Sequence, residues 1–478
     1  MPRNLPADCL NEIFEYLEDD DLQSCLLVSR FWCETSVRIF WREIQNFNTL
    51  LICLPNNSKT ILSENGVTIS ASASRPPLFH YTVFIKSLWI DEICQSIIRF
   101  ILPIYHHINM EDFEKNQHFI VIAREIFKML MNQTSLKHLC FFTRKNLNLP
   151  CFNYPGEDDC LRDLTELKCG SDLYPDIFYK LSQLCHNLRS LKIIFGYSVS
   201  NGLSELVSVQ KHIKCLELNF CDLWANKSQP FTNFPNTLTK LCISQGRYRI
   251  PWSLISKLSN LQELSLALSN EIGGLKDFKK LQYSVFPQLQ ILKFESGCPD
   301  GEYLIKFLEN NGKNLNDLIL CKIIDGTLNL DIGKFCPNLR SLCTVFPDGD
   351  IKSLKVIFNA CQQLETIKMI FGDFPVNERE LLEIVVEFSP KKFYKLLVIL
   401  RVQVFPETTF QWGLRSILER WANRKPCIPL SLSIKSNSKM DIKLSKSNIK
   451  IIEEFKKLGA IKKFKIKILK CWMDIMVQ

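Results

Sequence analysis

With 478 residues, 46% of them hydrophobic and 23% charged, the chain has the make-up of a folded protein, and wholesale disorder is excluded. That length suits two or three ordinary domains, or one elongated array with a cap. The formal charge of +9 is unevenly placed: residues 1–44 carry nine acids against four bases, and residues 435–470 carry twelve lysines against three acids.

The stretch from Leu5-Pro6 to Ile44 reads as three short amphipathic helices. Leu10, Ile13, Phe14 and Leu17 fall at the i, i+3, i+4, i+7 spacing that places four apolar side chains on one helical face. Pro6 suits a first helical turn, where its missing N–H would have no partner. Asp19-Asp20-Asp21 stops this helix and can cap the next, which should bury Leu22, Cys25 and Leu26. A third helix carries Phe31, Trp32, Ile39 and Phe40, and Trp41 closes the segment.

The order Leu5-Pro6, Leu10-x-x-Ile13-Phe14-x-x-Leu17, Leu22, Val28-Ser29-x-x-Trp32 and Trp41-x-x-Ile44 resembles the F-box motif. The resemblance covers about 40 residues at the chain's start. It implies a module that docks onto the Skp-type adaptor of a cullin-based ubiquitin ligase while the rest of the chain selects a substrate. By resemblance, Leu5, Pro6, Leu10, Ile13, Phe14, Leu17, Val28, Trp32 and Trp41 would form or support the adaptor-binding face.

Asn46 to Pro77 is rich in Ser, Asn and Pro and reads as a loop or hinge. A strand-like segment follows at Phe84–Ile90, then an amphipathic helix at His118–Met131. From Leu136 the pattern x-L-x-x-L-x-L recurs, anchored at Leu136, Leu164, Leu188, Ile213, Leu238, Leu261, Leu289, Leu315, Leu339 and Leu364, at intervals of 23 to 28 residues. A period near 25 marks stacked supersecondary units, each a short strand with inward leucines and a returning helix such as Asp176–Leu184 or Gly301–Leu308. No such unit buries its own apolar side, so neighbours must stack.

Cys185-His-Asn-Leu188, Cys336-Pro-Asn-Leu339, Cys361-Gln-Gln-Leu364 and Cys221 make this resemble leucine-rich repeats of the cysteine-containing type found behind F-boxes. The departure is that Gly196, Gly246 and Gly372 stand where Asn or Cys is expected after the strand. Beyond Leu364, Phe393–Leu400, Pro429–Lys435 and Ala460–Ile468 look like further strands at wider intervals. Helices are expected near Gln411–Arg424 and Asn448–Leu458, the latter ended by Gly459. Lys446 to Gln478 should be the closing repeat and cap.

The fold class expected is therefore α/β. A three-helix F-box occupies residues 1–46 and a linker 47–83. A leucine-rich-repeat solenoid follows over 84–478, with clear repeats at 136–370, parallel short strands on a concave face and helices on a convex one. No run of about eighteen apolar residues occurs, and MPRNLPADCLNEIF lacks the apolar core of a secretory leader. The reading is then a cytoplasmic or nuclear protein, with its twenty cysteines reduced. No C-x-x-C and no finger-like His spacing occurs, so neither metal nor cofactor is expected.

None of the phosphate-loop, dinucleotide, zincin or nucleophile-elbow patterns is present, and His138 and His212 sit inside repeat units. Recognition remains. On the repeat strands Ser190, Lys192, Glu217, Lys240, Glu263, Ser265, Lys293, Asp317 and Lys368 should face the concave side and offer a mixed charged surface to a substrate protein. The expected role is a non-catalytic substrate receptor of a Skp–cullin–F-box ligase. Its partners would be the adaptor, through it a cullin, and a substrate bound for proteasomal degradation. Two readings stay open beside it: an interaction scaffold that has kept an F-box-like cap, and a nucleic-acid or membrane-surface binder using the lysine-rich end. On the leading reading neither nucleic acid nor membrane is a partner, because that end lacks the aromatic interleaving of a stacking groove.

Overall fold

The computed structural model describes residues 5–69, 76–104, 116–142, 154, 156–196, 198–220, 233–244, 252–268, 274–322, 328–346, 351–371, 377–400, 413–436 and 446–468. Cys221, Gly246, Gly372 and the end of the expected cap, 469–478, lie outside them. Packing divides the chain into Met1–Leu216 and Glu217–Gln478.

The first unit opens with α1 (Ala7–Phe14), α2 (Asp19–Cys25) and α3 (Arg30–Phe40). Leu10, Phe14, Leu22, Cys25 and Ile39 form their common core, with Leu17, Phe31, Trp32 and Phe40 packed around it. Phe14 meets Trp32 edge-on at 5.2 Å between ring centroids. The three aspartates do not cap α2 through a side-chain hydrogen bond. They occupy its first turn, where the helix dipole favours negative charge. Ser29 does cap α3, its hydroxyl accepting the Trp32 N–H at 3.2 Å.

The linker expected over 47–83 is corrected by two helices, α4 (Phe47–Ile52) and α5 (Asn56–Glu64). Asn46 caps α4 by accepting the Thr49 N–H at 3.1 Å. Leu50, Leu51, Leu54, Leu62 and Val67 are buried, and the Ser58 hydroxyl donates to the buried Glu125 carboxylate at 2.8 Å. On α5 the polar Asn56, Asn57, Thr60 and Ser63 are exposed.

Strand β1 (Ser87–Trp89), α6 (Ile90–Ile101), α7 (Gln117–Gln133), β2 (His138–Phe141), β3 (Glu166–Gly170) and β4 (Ser190–Phe195) complete the first unit's frame, with β1 to β4 parallel and adjacent in chain order. The second unit holds β6 (Lys240–Ser244), β7 (Glu263–Ala267), β8 (Ile291–Phe294), β9 (Asp317–Leu320), β10 (Ser341–Phe346), β11 (Thr366–Phe371), β12 (Lys395–Leu400), β13 (Leu430–Ser436) and β14 (Ile461–Ile468), again parallel and in chain order. β5 (Cys215–Phe220) spans the division between the units. Strands joined by returning helices, with one leucine-lined core face, make this a leucine-rich-repeat fold. The pairing alternates buried and half-buried residues along β5 and β6, as period-two geometry requires. Gly459 adopts φ +75° just past the helix Lys446–Lys457, the left-handed stop expected of it.

At many strand entrances a single carbonyl accepts two N–H groups from the next repeat. Lys86 O takes Lys137 and His138 at 2.8 and 3.0 Å, and Lys137 O takes Thr165 and Glu166 at 2.9 and 3.0 Å. In the second unit Arg340 O takes Glu365 and Thr366 at 2.8 and 3.0 Å. The first rung is Arg42 O, just past α3, which accepts Lys86 and Ser87 at 2.8 and 2.9 Å. The F-box-like helices therefore begin the ladder that β1 continues.

The repeat cysteines are buried, and some reach back one repeat: the Cys361 thiol donates to Cys336 O at 3.2 Å and the Cys185 thiol to Leu161 O at 3.5 Å. Buried amides serve the same turns. Asn311 accepts the Phe286 N–H at 2.7 Å and donates to Ser284 O and Phe307 O at 2.9 and 3.0 Å. Burial pushes the Cys185 and Cys361 thiols up to about 12, which keeps both in the unreactive thiol form at pH 8. Native-state alkylation with iodoacetamide, followed by peptide mass spectrometry, should label the exposed Cys9 and Cys427 and leave Cys185 and Cys361 unmodified until denaturant is added.

Candidate adaptor face and recognition sheet

The nine residues assigned to the adaptor face divide by exposure. Leu10, Phe14 and Trp41 are buried, Leu17 and Trp32 half-buried, and Leu5, Pro6, Ile13 and Val28 exposed. The buried group builds the domain, and the exposed group is available to a partner. Trp41 faces elsewhere, its ring packed at a tilt against Tyr81 with centroids 4.4 Å apart. Two exposed residues escaped the sequence reading: Tyr16, 81% exposed, and Leu27, 87% exposed. Leu27 follows α2 and directly precedes Val28, at 60%. Apolar side chains this open on so small a helical unit are what a covered interface requires. Tyr16 lies three residues after Ile13, a spacing that the motif itself leaves unmarked.

The Glu15 carboxylate pairs with the Arg42 guanidinium, tying the end of α1 to the end of α3. The hydrogen bond from Arg42 holds the Glu15 carboxyl below its ordinary range despite the opposing effect of burial.

Of the nine recognition residues, eight are half-buried and Ser265 is buried. Three nominated charges pair with one another and leave a single net positive charge: Glu263 lies 3.3 Å from Lys240 and 2.8 Å from Lys293 on the flanking strands. Ser265 donates to Glu295 at 3.2 Å. Register aligns Glu263 with Lys240, and Ser265 with Lys293. Asp317 stands beside Ile291, and Lys368 beside Cys343 and Leu397. In the first unit Ser190 aligns with Glu166, and Lys192 with Lys168. Glu217 lies on β5.

Partial burial raises the Glu263 carboxyl, but the Lys293 hydrogen bond and the two lysine charges outweigh it and hold the group below its usual range. Its contribution is therefore present above the unfolded carboxylate pKa and lost as pH falls through the lower folded value. Glu263→Gln should lower stability by about 1–2 kcal/mol at neutral pH. The gap to the parent should close below about pH 4, read from denaturant midpoints at the two pH values.

A cavity of about 60 Å³ beside β1 and β2 includes Ser87, His138 and Glu166. Ser87 Oγ is 3.0 Å from His138 Nδ1, and His138 Nε2 is 3.8 Å from Glu166. The order resembles a hydrolytic triad, yet Ser87 is buried, and its own N–H and that of Lys86 both donate to Arg42 O instead of facing an oxyanion. The three are successive rungs of one register row. Among the described residues no group of three or more His, Cys, Asp or Glu is placed to hold a metal. No helix there is long and apolar enough to cross a membrane.

Residues 3–46 match the F-box-like family. The N-terminal helices are an F-box-like domain. No curated protein matches the chain by sequence. Among solved structures, a chain of the yeast Rad7 and Elc1 complex is similar at 14% identity and a TM-score of 0.39, with 80% of this chain and 90% of that chain covered. A leucine-rich-repeat protein of Leptospira interrogans is similar at 14% identity and a TM-score of 0.30, with 72% and 86% covered. Behind the F-box-like domain, the leucine-rich repeats supply the sheet that carries the candidate recognition residues.

Proposed function

We propose that the chain is the substrate-recognition subunit of a Skp–cullin–F-box ubiquitin ligase, working in the cytoplasm or nucleus. One observation carries the reading: a matched F-box-like domain leaves Ile13, Tyr16, Leu27 and Val28 exposed while its own core is complete without them. In this assembly the domain binds a Skp-type adaptor, and the repeats hold a substrate protein. The chain supplies proximity rather than chemistry, raising the effective concentration of substrate lysines at a ubiquitin-charged partner. Proteasomal degradation of that substrate is the expected outcome.

The test is co-purification of the intact chain with a Skp-type adaptor, followed by ubiquitin transfer to captured partners in a reconstituted ligase. Absence of any adaptor binding sinks the proposal. Adaptor binding without substrate-dependent ubiquitination would favour the scaffold reading instead.

A further inference from the structure

The sheet's last three strands differ in charge from the rest of the second unit. β12, β13 and β14 align Lys395 with Ser431 and Lys463, Leu397 with Ser433 and Lys465, and Ile399 with Lys435 and Lys467. Alternation sends Leu396, Leu432 and Phe464, then Val398, Ile434 and Ile466, to the core face. The opposite face presents Lys395, Lys463, Lys465 and Lys467, all exposed, beside the half-buried Leu397, Ser431 and Ser433 and the buried Ile399 and Lys435.

A register shift beside Ser431 accommodates Lys462 as an extra residue, which turns the alternating Lys463, Lys465 and Lys467 to the face of Ser431 and Ser433 instead of the core. The three strands contain no Asp or Glu. On β7, by contrast, Glu263 pairs with both Lys240 and Lys293, leaving one net positive charge there.

We infer that this lysine face binds an extended, acidic segment of a protein, with carboxylates or phosphates on alternate residues. Lys463, Lys465 and Lys467 recur every second residue, roughly 6.6 Å apart, which is also the repeat of same-side groups along an extended peptide. Ser431 and Ser433 place hydroxyl donors in the neighbouring row, suited to the remaining oxygens of a carboxylate or phosphate. This face of the three strands carries no aromatic side chain on which nucleobases could stack, which favours a peptide over single-stranded nucleic acid. The inference deepens the receptor reading by assigning a substrate class. It rests on that reading for the word substrate and not for the surface itself.

The test uses the full chain and a fluorescein-labelled peptide alternating glutamate and serine, with a second arm in which the serines are phosphorylated. Both should bind by fluorescence anisotropy, the phosphorylated peptide more tightly, and both should weaken as salt rises. Joint Lys463→Glu, Lys465→Glu and Lys467→Glu should weaken binding by about tenfold or more. The corresponding Gln substitutions should weaken it less and leave the thermal midpoint unchanged, so that loss of charge is separated from loss of fold.

Unchanged peptide affinity in the folded Gln variant would overturn the inference. So would tighter binding of oligo-dT or phosphatidylserine vesicles than of either peptide. Adaptor capture, measured on the same proteins, reports the receptor reading separately: a chain that binds the peptides and no adaptor keeps this surface and loses that reading.

Discussion

Leu27→Glu combined with Val28→Glu should weaken capture of a Skp-type adaptor by at least a hundredfold while leaving the helical circular dichroism of the chain unchanged. Both side chains are mostly exposed and contribute nothing to the core formed by Leu10, Phe14, Leu22, Cys25 and Ile39. Replacing them therefore costs the free domain little. Apolar anchors at the centre of an interface are worth about 2–4 kcal/mol each, and a carboxylate forced into such a patch adds its own desolvation penalty. Even with incomplete additivity, two anchors exceed a hundredfold in affinity. Phe14→Ala is the informative contrast. It too should abolish capture, but through loss of the domain's own packing against Trp32, visible as lost helical signal. Retained capture by the Leu27/Val28 variant in a pull-down would place the adaptor surface elsewhere.

The largest expected effect on stability comes from Phe278→Ala. Phe278 is fully buried in the short helical turn Leu275–Lys280. Its ring meets Trp252 at 5.7 Å, Phe294 at 5.5 Å and Phe307 at 5.3 Å, so one side chain joins aromatic residues of successive repeats. Removal takes away the buried area and leaves a cavity whose walls belong to three different elements and cannot all move inward. The expected loss is about 3–5 kcal/mol, measured by denaturant titration. Tyr283, 69% exposed and close by in sequence, is the control: Tyr283→Ala should change stability by no more than about 0.5 kcal/mol. Equal effects at the two positions would contradict the packing argument.

The strands were the most legible part of the chain, because x-L-x-x-L-x-L encodes burial directly. Every second residue of a strand faces the core, and Leu188, Leu191 and Ile193 are all fully buried. The cysteines at Cys185, Cys336 and Cys361 were likewise readable as buried repeat positions.

Residues 47–64 were not legible as helices. Their Ser, Asn and Pro content masked the buried Leu50, Leu51, Leu54 and Leu62, and a tertiary contact adds to that packing: the pairing of Ser58 with Glu125, a residue 67 positions away. The F-box-like motif marked Leu10 and Val28 alike, since a motif records which residue types recur and not which of them face outward. The pairing of Glu263 with both Lys240 and Lys293 depends on register between strands, and so does the gathering of Lys395 with Lys463. Composition had already shown the excess of lysine near the C-terminus, but it took the extra residue at Lys462 to sort that excess onto one side of the sheet.

The doubly bonded carbonyl of Arg42 has a mechanical consequence. A domain carried on a linker can swivel, and whatever it holds samples many directions. Here the F-box-like helices are spliced into the first strand by the same two-bond joint that joins β1 to β2, and Trp41 locks against Tyr81 beside it. Rotation about that joint would break main-chain hydrogen bonds. An adaptor seated on the helices would therefore hold β1 to β4 at a fixed bearing.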